Sequence, residues 1–520
     1  MYRALFTIAA LFALLALSGC TLALNLSCSD DDDCATGTCD EEGICVTDSA
    51  LIPCTTSEEC EDAFGPTGVC QDGFCEDVSG FTGGPCQRLE GFVDDDDAFR
   101  IGVVLQLSGV GAGFGVPMLN AIILAMDGVN GIGGVDGRRL GLIVCDTEGR
   151  DSIATEAAQH LVDTDGVTAI IGMNSSQVID IGPTVVTPND VLLISPSATA
   201  ATISGLGEDL IWRTAPSDEN QAIAMSELID YLVADHLPAM GIAEPKVTLL
   251  VRNHDRWATG LRDHLSANLP AEILGGGTDR FSIHNFPNVG AGDPADYTGT
   301  AADIAAEAVN PHLVVVLGSA DSWTIIDHIH TLLEDDELLF VGGDAMKNAE
   351  EAGQANPELE GRIWGTGPRN VAEIDYEPYS IFRLQFQSEF GNPDNFQFVA
   401  NAFDALYVLA FAAAAEGFTG PELAEGLTRL SDGQDIDPRA TAAQEGIAIL
   451  RDGGTINYRG ASGPLNFDAN GDPEPLPIAL WCFRDGAVPE EGQLYDEAAG
   501  FTVQTCVDPP DGNGGDDNGD

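Results

Sequence analysis

Short apolar runs alternate with longer amphipathic segments over most of the chain. Runs such as "RIGVVLQL" (100–107) and "VTAIIG" (167–172) predict buried β-strands, and "PMLNAIILAMDGVN" (117–130), with apolar residues at helical spacing, predicts a helix. The pattern repeats in the second half, as in "KVTLLVRN" (246–253) and "ELLFVGGD" (337–344). This strand–helix alternation predicts an α/β protein with two lobes, each an open, doubly wound parallel sheet.

Hydroxyl and amide side chains follow two neighbouring predicted strands. Asn174, Ser175 and Ser176 come after "VTAII", and Ser197 and Thr199 come after "VLLIS". In such sheets a ligand lies beyond the carboxyl ends of the strands, where helix N-termini present unpaired N–H groups. Hydroxyls beside those amides suit a carboxylate, although the same residues also cap helices. Two clusters on adjacent strands favour a ligand site over capping alone.

The first twenty residues, "MYRALFTIAALFALLALSGC", have the pattern of an export signal: one early cation, an apolar stretch and small residues at the end. The final "LSGC" resembles the bacterial lipobox, which implies cleavage before Cys20 and lipid attachment to it. The alternative is an ordinary signal peptide with a chance cysteine. A lipid anchor would hold the protein on a bacterial membrane without spanning it.

Cysteine usage agrees with export to an oxidising compartment. Most of the thirteen cysteines fall in an acidic segment, residues 21–98, that cannot bury enough apolar surface to fold unaided. Disulfides are favoured over zinc, because His is absent and no paired CxxC occurs there. The pairing within each set of four stays open. The two sets are Cys28, Cys34, Cys39 and Cys45, and Cys54, Cys60, Cys70 and Cys75.

The remaining cysteines and the charge complete this picture. Cys482 and Cys506 are predicted to pair, and by elimination Cys86 and Cys145 would join the N-terminal segment to the first lobe. The formal net charge of −63 repels nucleic acid and anionic lipid headgroups, which excludes them as charge-driven partners. The C-terminal residues 509–520, "PPDGNGGDDNGD", predict a disordered tail.

Several longer motifs together resemble one known family. "IGVVLQLSGVGAGFGVPMLNAIILAMDGVNGIGGVDGRRLGLIVCD", "IIGMNSSQ", "LLISPSATAATIS", "IWRTAPSDENQ", "FVGGDAMKN" and "GASGPLNFDANGD" follow, in order, the pattern of the leucine/isoleucine/valine-binding proteins of ABC transporters. The resemblance implies a type I periplasmic-binding-protein fold over residues 99–508, with a hinge of three crossings. Lobe 1 would comprise about 99–217 and 370–462, and lobe 2 about 218–369 and 463–508, with crossings near Ser217, Gly367–Val371 and Ser462–Asn466.

The resemblance also implies a ligand site between the lobes. Ser176 and Thr199 would donate hydroxyls to a ligand carboxylate, and Asp344 would face its ammonium group. Phe114 and Trp257 match aromatic positions that close over the ligand. Three departures leave the ligand's side chain open: Asp344 is shorter than the Glu of the branched-chain binders, Asn174 replaces an apolar residue, and Trp257 replaces the more usual Tyr. The predicted ligand-binding set is Phe114, Asn174, Ser175, Ser176, Ser197, Ala198, Thr199, Trp257 and Asp344.

The predicted function is therefore capture of a small amino acid-like solute outside the cytoplasm, for delivery to an ABC transporter permease. The alternative is a ligand-sensing receptor module of a signalling system. The glycines of "GVGAGFG" do not match a dinucleotide-binding loop, and no catalytic or P-loop motif is evident. We therefore expect no enzyme activity, no cofactor and no metal.

Overall fold

The computed structural model describes residues 83–501, apart from 164–166, 207–208, 278, 289–295, 320, 348, 369–375, 394–395, 475–477, 489 and 497–499. Before residue 83 it describes the backbone of two short antiparallel hairpins. These are β1 (Thr38–Cys39) with β2 (Cys45–Val46), and β3 (Gly68–Gln71) with β4 (Phe74–Asp77). The predicted signal peptide with Cys20 and the predicted tail at 509–520 lie outside the described residues.

The first lobe is built on a six-stranded sheet. Along the chain it comprises β5 (Cys86–Gly91), β6 (Phe99–Leu105), α1 (Ala112–Gly131), β7 (Leu140–Asp146), α2 (Asp151–Asp163), β8 (Val167–Gly172), α3 (Ser175–Ile181), β9 (Leu192–Ser195) and β10 (Ile211–Arg213). The strand order is β10-β9-β8-β6-β7-β5, and all neighbouring strands are parallel except the edge pair β5–β7.

The second lobe follows with the same alternation. It comprises α4 (Asp218–Tyr231), α5 (Leu237–Ala239), β11 (Val247–Arg252), α6 (Arg256–Asn268), α7 (Ala271–Leu274), β12 (Phe281–Phe286), α8 (Thr298–Ala305), β13 (Leu313–Leu317), α9 (Ser322–Leu333), β14 (Leu339–Gly342), α10 (Ala349–Gln354) and β15 (Ile363–Pro368). The five strands are parallel, in the order β12-β11-β13-β14-β15.

The chain then returns to the first lobe before ending in the second. The returning part comprises α11 (Glu377–Phe390), α12 (Val399–Ala415), α13 (Gly420–Leu427), β16 (Gln434–Ile436), α14 (Ala440–Arg451), β17 (Ile456–Gly460) and β18 (Gly463–Pro464). The last strands, β19 (Ile478–Cys482), β20 (Glu490–Asp496) and β21 (Gly500–Phe501), extend the second sheet in antiparallel fashion.

Each sheet is covered on both faces. In β6, Ile101 and Val103 pack into a core formed with α1, α11 and α12, while Val104 packs on the opposite face with α2 and α3. In the second lobe, Leu249 packs with α4 and α6, and Leu250 with α8 and α9. This layering explains why the strands are almost continuously apolar. The predicted two-lobed, doubly wound α/β fold is confirmed.

The apolar helix α1 belongs to the core of the first lobe. Among the described residues it is the one helix with the length and hydropathy of a membrane span, and 56% of its most apolar window is buried in the protein. Helices α12 and α13 meet the same test only as a pair bent by 100°. Residues of α1 and α12 lie in one core cluster, so the apolar character of both is used in packing.

The chain passes between the lobes three times. The first passage lies between β10 and α4, and the second lies between β15 and α11. Leu465 and Phe467 still pack in the first-lobe core, so the third passage lies before β19, beyond the Ser462–Asn466 position predicted from the sequence. Arg213 connects two of these passages.

The Arg213 side chain is fully buried, and its Nε donates to Asp472 Oδ1 at 2.6 Å while Nη2 donates to Oδ2 at 2.9 Å. Its other guanidinium nitrogen, Nη1, donates to the carbonyl of Ala200 at 3.0 Å. A buried guanidinium is stable only when its charge and its donors are satisfied in this way. The carboxyl end of β10 is thereby fixed to the segment that precedes β19.

The predicted disulfide between Cys86 and Cys145 is present. The two residues lie opposite each other in the antiparallel pair β5–β7, so the bond joins the N-terminal segment to the first-lobe sheet. Cys482 is also in a disulfide. Its predicted partner, Cys506, lies outside the described residues, so that pairing stays a prediction.

Candidate functional site

A cavity of about 240 Å³ lies between the lobes at the carboxyl ends of their parallel strands. Eight of the nine predicted ligand-binding residues line it: Phe114, Asn174, Ser175, Ser176, Ser197, Thr199, Trp257 and Asp344. The first six come from the first lobe and the last two from the second. The two strand ends that carry hydroxyl clusters therefore face one shared space, together with the predicted acid.

The first cluster opens helix α3. Asn174 is its N-cap: Asn174 Oδ1 accepts from the backbone N–H of Gln177, and the Gln177 side chain accepts in return from the backbone N–H of Asn174. This capping box satisfies two of the helix's free N–H groups. Ser175 Oγ accepts from the backbone N–H of Ala200 at 3.2 Å. Both residues line the cavity, so the capping role considered from the sequence coexists with a position in the site.

The second cluster is organised by Ser195, which is completely buried. Its Oγ donates to the carbonyl of Met173 at 2.7 Å and accepts from the backbone N–H of Ala198 at 3.0 Å. Ala198 itself does not line the cavity, in contrast to the prediction, because Ser195 and Arg213 use its N–H and carbonyl groups. Ser197 and Thr199, on either side of it, do line the cavity.

Aromatic side chains come from both lobes. Phe114 lies in the first turn of α1, and Trp257 lies in the first turn of α6 with 7% of its surface exposed. Trp257 fits because the residue before Asp344 is Gly343, where a Cβ would lie 2.9 Å from the indole ring. A third ring, that of Phe398, also lines the cavity and was not predicted from the sequence.

Asp344 is a buried acid at the end of β14. It is 2% exposed, and its Oδ1 accepts from Nε2 of Gln221 at 3.1 Å. Burial raises the pKa of Asp344 to about 6, although the hydrogen bond from Gln221 acts in the opposite direction. Such a carboxylate gains from a cation that enters the cavity, since desolvation has left its charge poorly compensated.

A second buried acid, Asp218, is the first residue of α4 and lies close enough to Asp344 to interact with its charge. Burial and then the charge of Asp344 raise the pKa of Asp218 well above its usual value, and the neighbouring Thr199 and Arg213 offset only part of this. Within the described ranges, neither carboxylate oxygen of Asp218 has a hydrogen bond of normal geometry. The first passage between the lobes thus places a second carboxyl group beside Asp344.

Two charged residues that the sequence analysis missed also line the cavity from the second lobe. Arg252, at the end of β11, donates through Nε to Asp255 Oδ2 at 2.8 Å and forms an ion pair with Asp321 at 3.3 Å. Asp255 also caps α6, because its Oδ1 accepts from the backbone N–H groups of Trp257 and Ala258. The signal in the sequence was an Asp just before an amphipathic segment, which is a typical N-cap.

A third charged residue that was not predicted, Asp151, lies on the first-lobe side, where Gln177 Nε2 donates to its Oδ1 at 3.4 Å. Burial is the largest cause that raises the pKa of Asp151. Asp151, Asp255 and Asp344 are thus three acids in the lining, whereas Arg252 is a cation already paired with two carboxylates. The cavity favours a ligand that carries positive charge.

Backbone strain marks the same place. Met173 and Phe398 both line the cavity with left-handed φ angles of 66° and 61°, and His254, just before Asp255, has φ of 55°. Bulky residues rarely adopt this conformation, and in proteins it concentrates at ligand sites. No sequence pattern of the kind used above predicts it at these three positions.

The lobes also contact each other across the cleft. Ser176 Oγ accepts from the backbone N–H of Arg256 at 3.0 Å, and Arg256 Nη2 forms an ion pair with Asp180 Oδ1 at 3.0 Å. These contacts join α3 to the N-terminal end of α6. Both lobes therefore line the cavity and contact each other beside it. In the described part of the chain, no three His, Cys, Asp or Glu side chains are grouped to hold a metal ion.

Comparisons with known proteins agree with this architecture. The sequence model of a family described as "Periplasmic binding protein" matches residues 98–455. The chain is 25% identical over 368 residues to the Leu/Ile/Val-binding protein BraC3 of Rhizobium johnstonii, covering 70% of this chain and 88% of the relative. It is 26% identical over 389 residues to the chemotactic signal transduction system substrate-binding protein BasB of Halobacterium salinarum, covering 72% and 84%.

Among solved structures, a leucine-binding protein from Thermotoga maritima superposes with a TM-score of 0.59 at 20% identity, covering 76% of this chain and 98% of that one. This likeness confirms the fold that the resemblance implied. The family match extends over most of the first lobe and all of the second lobe up to β15. The chain therefore belongs to the periplasmic binding proteins, in the family of the Leu/Ile/Val-binding proteins.

Proposed function

We propose that this protein captures an α-amino acid or a closely related zwitterion in the cleft and presents it to an ABC transporter permease. The observation that carries the proposal is that residues from both lobes line one cavity with a buried acid on one side and hydroxyls on the other. The relative BraC3 is named as a binder of leucine, isoleucine and valine, which supports the same ligand class.

In this proposal, Asp344 accepts hydrogen bonds from the ligand's ammonium group, and the hydroxyls of Ser176 and Thr199 donate to its carboxylate. Ser176 Oγ accepts from Arg256 across the cleft, which leaves its own proton available for the ligand. Trp257 and Phe114 cover the remainder. Because these contacts come from two lobes, the ligand favours the closed arrangement over the open one.

The ligand's side chain is expected to be polar or larger than that of leucine. Asn174 lines the cavity where the resemblance implies an apolar residue in the branched-chain binders. Asp151 also lines the cavity, and Gln177 connects the two. A polar ligand group would exchange hydrogen bonds with them, whereas an aliphatic one would leave them desolvated.

A screen of the twenty amino acids, short amides and organic acids by thermal shift, followed by calorimetry, tests the proposal. Asp344→Asn should weaken the best zwitterion about 30-fold or more, because it removes one member of a buried charge pair. Asp336→Asn, an exposed acid of the same lobe, is the matched control and should bind as the wild type. Equal affinity in Asp344→Asn and the wild type would argue for a ligand without an ammonium group.

The proposal includes no catalysis and an extracytoplasmic, lipid-anchored location. The ligand should be recovered chemically unchanged after long incubation, which mass spectrometry measures. The Cys86–Cys145 bond supports exposure to an oxidising compartment. Lipid on Cys20 predicts a diacylglyceryl mass on the mature N-terminus and release of Cys20→Ala into the soluble fraction. An unmodified Cys20 would remove the anchor from the proposal and leave the ligand site in place.

Sensing is a second candidate, favoured by the relative BasB, which is named as part of a chemotactic signal transduction system. The same cleft would then present its closed state to a receptor instead of a permease. Deletion of the gene separates the two functions: loss of radiolabelled ligand uptake supports transport, and loss of directed movement toward the ligand with normal uptake supports sensing.

A further inference from the structure

A second cavity of about 450 Å³ opens on the outer side of the first lobe. It lies between α1, α11, α12 and the turn that precedes α14, and it shares no lining residue with the cleft. Neither the family match nor the cleft chemistry requires it. Its lining combines a buried phenol, acidic side chains and an apolar wall.

The phenol of Tyr407 is the unusual feature of this cavity. Tyr407 is 3% exposed, and its ring packs against Phe403 and Phe411 with centroids 5.0 and 6.0 Å away. Its hydroxyl lies beside Gly128, where a Cβ would come within 2.6 Å of the oxygen, and both residues line the cavity. The hydroxyl oxygen therefore borders the cavity, where it can accept a hydrogen bond from a ligand.

Negative charge surrounds the opening. Asp127 and Glu389 both line the cavity, and Glu90 lies close enough to act on Asp127. Partial burial, with the charges of Glu90 and Glu389, raises the pKa of Asp127 to about 6. The two glutamates thus disfavour the ionised form of Asp127, and a cation at this position relieves that repulsion.

The opposite wall is apolar. Leu124 and Phe403 line it from α1 and α12, and Leu384 of α11 is 68% exposed, the largest value among the exposed large apolar side chains. An apolar side chain exposed beside a cavity gains when a ligand covers it, by about 25 cal/mol for each Å² removed from water. The cavity thus offers an acceptor hydroxyl, acidic charge and an apolar surface in one place.

We propose that this outer cavity is a binding site for a small organic cation with an apolar stem, such as an alkylammonium or alkylguanidinium ion. One N–H of the ligand donates to the Tyr407 hydroxyl oxygen, and its charge lies toward Asp127 and Glu389. Its stem covers Leu124 and Leu384. The proposal stands on a different surface from the cleft and is independent of the amino acid bound there.

Methyl NMR on the full chain tests this site, with n-butylguanidinium chloride as the probe at constant ionic strength. The methyl groups of Leu124 and Leu384 report on the outer cavity, and those of Met118 and Met173 report on the cleft. We expect a saturable shift of the two leucines with the methionines unchanged. Methylammonium, which has the charge without the stem, should bind more weakly.

Two variants identify the contacts. Tyr407→Phe keeps the ring packing and removes only the hydroxyl, and it should weaken the probe about tenfold; Asp127→Asn should do the same. Glu445→Gln, an exposed acid on α14 of the same lobe, is the matched control and should bind as the wild type.

The proposal is overturned if the leucine methyl groups show no saturable shift, because the hydroxyl then binds water only. It is also overturned if Tyr407→Phe and Asp127→Asn bind as tightly as Glu445→Gln, because the attraction is then a diffuse property of the acidic surface. Shifts confined to Met118 and Met173 would place the cation in the cleft and likewise end it.

Discussion

Replacing Asp344 by Asn should make the ligand-free protein more stable while it weakens ligand binding. The carboxyl group is buried and its pKa is raised from 3.8 to about 6, so the folded protein pays for keeping it ionised at neutral pH. An amide of the same shape can still accept from Gln221 and carries no charge.

The magnitude follows from the pKa shift. About two pKa units at about 1.4 kcal/mol each correspond to about 3 kcal/mol of destabilisation. The amide also weakens the hydrogen bonds that the carboxyl group accepts from the backbone of Asp344 and Ala345, which costs about 1 kcal/mol. The expected gain in the free energy of unfolding is therefore about 2 kcal/mol at pH 7.5.

The pH dependence has a definite sign. Because the folded pKa lies above the unfolded one, the folded state holds the proton between about pH 4 and pH 6, and stability falls as the pH rises through that window. The cost is complete above about pH 6. At pH 5, which is above the isoelectric point of about 4.1, the gain from Asp344→Asn should fall below about 1 kcal/mol.

Urea unfolding of the ligand-free protein at pH 7.5 and pH 5 measures both values, with Asp404→Asn as the control. Asp404 is equally buried and its pKa is also raised to about 6, but its two oxygens accept from Tyr458, Ala461 and Ser462. In Asp404→Asn, the side-chain NH₂ group would face groups that also donate hydrogen bonds. The substitution should therefore lower the free energy of unfolding by about 2 kcal/mol or more. If Asp344→Asn is neutral or destabilising at both pH values, the assignment of Asp344 as a poorly compensated acid is wrong.

Three further results are expected. Arg256→Ala removes the exposed ion pair with Asp180 across the cleft and should weaken ligand binding less than about fivefold at low salt, with no effect at high salt, as measured by calorimetry. The pair Cys86→Ser and Cys145→Ser opens a loop with a sequence separation of 59 and should cost about 4 kcal/mol of stability in urea unfolding; an unchanged midpoint would contradict this. Arg213→Gln leaves Asp472 without its buried partner and should cost about 3 kcal/mol or more; a loss below about 1 kcal/mol in the same assay would show that the contact does not stabilise the first lobe.

The strand order along the chain and the edge that binds ligand could be predicted from the sequence, because strands and their ends depend on local residue patterns. Apolar runs define β6, β8 and β9, and the residues that follow a parallel strand must lie at the edge where ligands bind. Ser176 and Thr199 could therefore be placed from the sequence, as could Asp344 with the help of the resemblance. All three line the cavity.

What could not be predicted depends on contacts between distant parts of the chain. The Arg213–Asp472 pair joins residues 259 positions apart. The third passage between the lobes lies beyond the expected position because Leu465 and Phe467 still pack in the first-lobe core. Ala198 was predicted in the site because it lies between Ser197 and Thr199. In the structure its N–H donates to Ser195 Oγ, and its carbonyl accepts from Arg213 Nη1. Phe398 reaches the cavity through a left-handed backbone conformation that its residue type does not indicate.

The Cys86–Cys145 bond also decides how the molecule carries mechanical load. A pull on the segment that precedes β5 reaches the covalent cross-link at the first residue of that strand and passes directly into β7. The tension is then borne by β7, the second strand from the edge of the six-stranded sheet, and none of the three passages between the lobes lies on that route. A tether attached on that side can therefore be stretched without prising the cleft open.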